Sequence, residues 1–153
     1  MFRKILFCAD FSANSDRAFY YALNLAKMYG ATLIVLHVVV ERTFYYWSSP
    51  ESRDERQAKV IEFERKKALD RYGPVLGDFT DCEFLCCEAG EGEAQNEIIQ
   101  AAQKQAVDVI VMGTHGRTGW NRLALGTTAD YVVKHAPCPV LIVTPPKEYP
   151  SEA

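Results

Sequence analysis

One stretch of this chain concentrates the residue types that holding an anion requires: Gly113-Thr-His-Gly116-Arg-Thr-Gly119-Trp-Asn-Arg-Leu-Ala-Leu-Gly126-Thr127-Thr128. Glycine lets a backbone come close to a phosphate and adopt positive φ. His115, Arg117 and Arg122 add donors and positive charge. The stretch leaves an apolar run, 107–112, and leads into a helical pattern, 127–135. The first amides of that helix offer unpaired N–H groups and a positive dipole end. Thr127 suits the N-cap, and Asp130 three residues on suits a capping box. All of this fits a polyphosphate. It equally fits a glycine-rich surface turn with solvated arginines, and residue types alone leave both readings standing. Two better-known phosphate motifs are missing, since no Gly-x-x-x-x-Gly-Lys-Ser/Thr and no Gly-x-Gly-x-x-Gly occurs.

Other residues carry weaker signals. Asp10 follows an apolar run and fits either a ligand contact or a hydrogen bond to the next helix. His37 interrupts a β-branched run and reads as a satisfied core histidine. His115 fits a phosphate donor and a loop-stabilising side chain alike. The cluster Phe44, Tyr45, Tyr46 and Trp47 fits a cover for the sheet edge, a cover for a ligand, or a partner patch. Five cysteines, an odd number without Cys-x-x-Cys spacing, read as buried reduced thiols.

The elements that must position these residues alternate. Segments 4–9, 32–39, 82–88, 107–112 and 139–144 are apolar and read as strands. Segments 12–30, 51–72, 92–105 and 127–135 read as helices, the first capped by Ser12 and closed by Gly30, the second ended by Gly73-Pro74. Strands that are apolar on both faces and separated by helices make a parallel sheet covered on both sides. In such sheets ligands bind beyond the carboxyl ends of the strands, where the strand order reverses. The 153 residues suffice for a core without staples, and at 48% hydrophobic the chain is neither disordered nor fibrous. A net charge of −3 gives no global field for nucleic acid or anionic lipid. No run is long enough to span a bilayer, and Arg3-Lys4 with few apolar residues before Asp10 does not read as a signal peptide. A cytoplasmic location is the expectation.

The pattern Gly113-x2-Gly116-x9-Gly126-Thr127 resembles the ATP-binding motif of the universal stress protein family. Other stretches fall in register with it: Lys4-Ile5-Leu6 leading to Asp10-Phe11-Ser12, Leu36-His37-Val38, Val107 to Gly113, and His135 to Val143. The resemblance covers nearly the whole chain. It implies one domain over residues 1–145 with a polar tail at 146–153, and a flavodoxin-like or Rossmann-like open sheet of five parallel strands. The implied order is 3-2-1-4-5, with helices on both faces. It implies ATP, with Mg²⁺, between strands one and four. Ala9, Asp10 and Val38 would hold the adenine end. Met112, Gly113, His115, Gly116, Arg117, Gly126, Thr127 and Thr128 would hold ribose and phosphates. Departures are small: Thr127 stands for a commoner serine, Thr128 for an apolar residue, and Ala94 for a frequent proline. A homodimer through Val140, Leu141, Ile142 and Val143 is expected, because an apolar edge strand invites pairing. The leading function is a nucleotide-dependent stress or signalling module with at most slow hydrolysis. The alternatives are a slow ATP hydrolase or nucleotidyl transferase, and a dimeric interaction scaffold that binds no nucleotide.

Overall fold

The computed structural model describes residues 1–40, 51–89, 93–114 and 125–147. Its elements run β1 (Lys4–Ala9), α1 (Ala13–Tyr29), β2 (Thr32–Val40), α2 (Arg53–Leu76), β3 (Cys82–Ala89), α3 (Ala94–Gln105), β4 (Val109–Gly113), α4 (Thr127–His135) and β5 (Val140–Val143). The strands form one sheet in the order β3-β2-β1-β4-β5, and every neighbouring pair is parallel. The expected α/β fold and strand order are therefore observed.

Side-chain alternation along the strands divides the core in two. Ile5, Phe7, Leu33, Val35, Val109 and Val111 face α1 and α2, where Phe19, Ala22 and Tyr72 meet them. Leu6, Ile34, Leu36, Ile110 and Met112 face α3 and α4, where Ile98, Ala102, Ala129 and Val132 close the layer. The central strand β1 is sealed on both sides, with Ile5, Leu6 and Phe7 all fully buried. Right-handed crossovers account for this division, since β1→β2→β3 proceeds in one direction and β4→β5 in the other.

Two helix boundaries refine the sequence reading. Ser12 caps α1 as expected, and Gly30 closes it in the left-handed conformation at φ 61°. By contrast α2 does not stop at Gly73-Pro74 but continues to Leu76 and ends at Gly77. Pro74 lies in the last turn, where the carbonyl it leaves unpaired is that of exposed Asp70, within reach of water. The buried side chains Tyr72 and Leu76 hold that turn against the sheet. Its start carries a capping box between Ser52 and Glu55. Much of the rest of α2 is exposed.

Candidate functional site

The strand order reverses between β1 and β4, and their carboxyl ends lie side by side. Phe7 pairs with Val111, which brings Ala9 level with Gly113. On the other flank Ala9 pairs with His37, one residue before Val38. Ala9 and Met112 are buried, while Asp10, Val38 and Gly113 are half-buried at the rim. Two helices, α1 and α4, begin at this crevice.

The turn into α1 is densely bonded. The Asp10 carboxylate accepts from the Ser12 amide at 2.8 Å, and the Asp10 amide donates to Ser15 Oγ at 3.2 Å. Ser12 Oγ in turn accepts from the Ser15 amide at 3.1 Å. The helix-bonding role weighed for Asp10 is thus present in the structure. Phe11 adopts φ 62°, a left-handed conformation rare for a bulky residue. Its ring is buried, 4.3 Å from that of His37 and stacked on Tyr72 at 6.4 Å. The Phe11 carbonyl accepts from Arg71 at 3.1 Å. Arg71 also donates twice to the Asp16 carboxylate, at 2.7 and 2.5 Å, and Tyr72 donates to it at 2.9 Å. Burial pushes the Asp16 carboxyl up, but these hydrogen bonds and the guanidinium charge outweigh it and hold it below its ordinary value.

His37 matches its reading as a satisfied core histidine. Its Nδ1 lies 2.7 Å from the Ala9 carbonyl, so that nitrogen carries the proton and donates. Its Nε2 lies 3.4 Å from the Glu64 carboxylate.

The start of α4 is built differently. Gly113 packs tightly on α1, where an added Cβ would stand 2.6 Å from Asn14 Nδ2 and 3.4 Å from the Asn14 backbone. Asn14 Nδ2 donates to Thr114 Oγ1 at 3.2 Å, tying α1 to the end of β4. The Gly126 amide donates to the Thr114 carbonyl at 2.7 Å, which joins the N-cap of α4 to the end of β4. Gly126, not Thr127, is the N-cap of α4, and a glycine brings no side chain of its own to cap it. This corrects the expected capping box. Thr127 already has helical backbone, and Asp130 pairs with Lys134 at 2.8 Å. Gly126 has φ −61°, so its glycine character serves the absence of a side chain, not a positive φ. Thr127 is exposed and Thr128 half-buried.

The structure therefore brings Ala9, Asp10, Val38, Met112 and Gly113 to the strand ends, with Gly126, Thr127 and Thr128 joined to them through Thr114. His115, Gly116 and Arg117 lie outside the described residues, as does the aromatic stretch 44–47. Sequence reasoning missed Asn14 and Thr114, which lock the two helix starts together, and Arg71, one cation among many on a charged helix. Thr114 stood inside the glycine stretch and could have been found there; Asn14 and Arg71 gave no signal.

Among the described residues no group of three or more His, Cys, Asp and Glu could hold a metal ion. All five cysteines are free and half-buried, less enclosed than expected. Burial pushes the thiols of Cys82 and Cys86 up to about 12 and that of Cys87 to about 11, so all three stay protonated at neutral pH. No helix of the described residues is long and apolar enough to cross a membrane.

Residues 1–144 match the model of the universal stress protein family. A curated relative, universal stress protein MJ0531 of Methanocaldococcus jannaschii, is 34% identical over 148 residues, covering 97% of this chain and 85% of the relative. The solved structure of MJ0577, a universal stress protein of the same organism, superposes with a TM-score of 0.79 at 27% identity, covering 97% of this chain and 99% of that one. A universal stress protein solved in complex with cAMP shares the fold at a TM-score of 0.64 and 23% identity, covering 93% of this chain and 97% of that one.

Proposed function

The chain belongs to the universal stress protein family, and on that premise we propose that it binds ATP, with Mg²⁺, as a nucleotide-dependent stress or signalling module. The observation that carries this reading is the start of α4: a nine-residue helix opening at the strand-order reversal with a glycine at its N-cap. Its first amides have no intrahelical carbonyl to bond, and its dipole end favours negative charge. A chain of the same fold has been solved with an adenine nucleotide, cAMP.

In this reading Ala9, Asp10 and Val38 take the adenine end. Met112, Gly113, His115, Gly116, Arg117, Gly126, Thr127 and Thr128 take ribose and phosphates. The protein would work in the cytoplasm as a homodimer through β5, whose Leu141 is exposed at the sheet edge. Hydrolysis would be slow, below about 1 s⁻¹, because efficient phosphoryl transfer needs an aligned nucleophile as well as charge stabilisation. Calorimetric titration tests the reading directly. ATP should bind at low-micromolar to submillimolar Kd, with GTP weaker. No heat and no thermal shift with ATP would refute it, and nucleotide released on heating the purified protein would support it.

A further inference from the structure

Asp10 lies between two carbonyls that are gripped by side chains from distant parts of the chain. The Ala9 carbonyl takes His37 Nδ1 at 2.7 Å, and the Phe11 carbonyl takes Arg71 at 3.1 Å. The first donor comes from β2 and the second from α2. Between them, Phe11 holds φ 62°, a state that a bulky residue keeps only where its surroundings over-determine it. Both donors are themselves held. Asp16 takes Arg71 through two hydrogen bonds, and the Glu64 carboxylate lies 3.4 Å from His37 Nε2.

Strain of this kind is not required to lead a strand into a helix. Among the described residues the non-glycine positions with positive φ are Phe11 and Ala106, and Ala106 closes a helix, so Phe11 alone holds such a conformation ahead of one. Released from its two grips, Phe11 would relax to negative φ. The peptides on either side of Asp10 would turn with it, and the carboxylate would leave its place at the rim.

We propose that His37 and Arg71 are positioning residues for the crevice: by gripping the carbonyls on either side of Asp10, they hold the strained turn in place before a nucleotide arrives. The inference rests on the nucleotide reading above and extends it to two residues that need not touch the ligand. With the turn already ordered, binding does not carry the entropy cost of fixing it.

Four substitutions test this. His37→Leu removes the donor to Ala9, and His37→Asn retains an N–H near the position of Nδ1. Arg71→Met removes the grip on Phe11, and Arg71→Lys retains a cation. For each protein the ATP Kd is measured by calorimetry, stability by thermal melting, and amide exchange at Asp10 and Ser12 by NMR without ligand. His37→Leu and Arg71→Met should weaken ATP binding about tenfold, the equivalent of freeing about one residue of backbone, and should speed exchange at both amides. His37→Asn should recover binding to within about threefold of the parent, although it melts as low as His37→Leu because both lose the imidazole ring against Phe11. Unchanged binding in folded His37→Leu or Arg71→Met overturns the inference and leaves the nucleotide reading intact. Binding that follows melting temperature, with His37→Asn no better than His37→Leu, also overturns it. A parent protein that binds no ATP overturns both. Should His37→Leu fail to fold, the Arg71 pair decides alone.

Discussion

The two helices that begin at the crevice meet one requirement in opposite ways. Every α-helix leaves its first amides without an intrahelical acceptor. At α1 the protein supplies acceptors itself: Ser12 Oγ takes the Ser15 amide, and the Asp10 carboxylate takes the amide of Ser12 just ahead of the helix. Arg71 and His37 then fasten the turn from outside. At α4 the cap is Gly126, which has no side chain to offer. The α1 start is tied down by the protein's own side chains, whereas the α4 start has a glycine at its N-cap, which suits an anionic ligand. The contrast separates two roles that the sequence placed in one undivided site.

The strongest way to break the contrast is to give α4 a cap of its own. Gly126 has φ −61° and ψ 159°, ordinary extended backbone that any residue can adopt. Gly126→Asp should therefore fold, and should gain a few tenths of a kcal/mol because aspartate is a better N-cap than glycine. Its carboxylate would occupy the helix start and repel phosphate. ATP affinity should fall at least about 100-fold, more than about 2.7 kcal/mol. A Gly126→Asp protein that binds ATP like the parent would mean that α4 receives no phosphate.

A smaller effect is expected where the two starts touch. In Gly113→Ala the new methyl group would meet Asn14 Nδ2 at 2.6 Å, so that amide must swing away and lose Thr114. The cost should be about 1–2 kcal/mol, for one hydrogen bond and some repacking. Asn14→Ala alone should cost about 1 kcal/mol, and the double variant should be more stable than the two losses summed. Urea denaturation of the four proteins measures this coupling, and strict additivity would show that Gly113 is not confined by Asn14.

Removing the cap at the other start affects stability more than binding. Ser12→Ala should cost about 1 kcal/mol in urea unfolding, while the ATP Kd should stay within about threefold, because His37 and Arg71 still hold the turn. A loss of binding as large as that in Gly126→Asp would erase the distinction between the two starts.

The sheet was legible in the sequence because its strands are continuous apolar runs, Ile5 to Cys8 and Leu33 to Leu36 among them, and hydrophobic periodicity survives translation into structure well. The first helix was legible from Ser12 and Gly30, each of which acts locally. What escaped was non-local. Pro74 looked like a terminator, yet Tyr72 and Leu76 carry the helix past it through contacts with a sheet formed by residues far away in sequence. Thr127 looked like a cap because the hydroxyl was visible and the backbone angle of Gly126 was not. Arg71 could not be distinguished from its charged neighbours until the fold brought it to Phe11 and Asp16. The glycines of the site were found, but their reasons differ: Gly113 answers a close approach, and Gly126 leaves a helix start uncovered.

The smallest expected effect concerns acid. The Asp16 carboxyl lies below its ordinary value of 3.8, with burial opposing the hydrogen bonds from Arg71 and Tyr72 that lower it. A carboxylate stabilised in the native state contributes in full above its unfolded pKa, and loses that contribution as pH falls through the lower native value. Asp16 should therefore help stability in full at every pH above about 4 and lose that help progressively below it. The pair with Arg71 is one-third exposed or more on both sides, so the gain should not exceed about 1 kcal/mol. Asp16→Asn keeps the shape and removes the charge. The gap between parent and variant in urea midpoint should hold steady from pH 7 to 5 and narrow between pH 4 and 2. Arg71 also grips Phe11, so the same acidification should lower the protection of the Asp10 amide, measured against its intrinsic exchange rate at each pH, while leaving the protection of the Gly126 amide, bonded to the Thr114 carbonyl, unchanged. A gap that stays constant down to pH 2, or an equal loss of protection at both amides, would show that Asp16 does not tie the α1 start down through its charge.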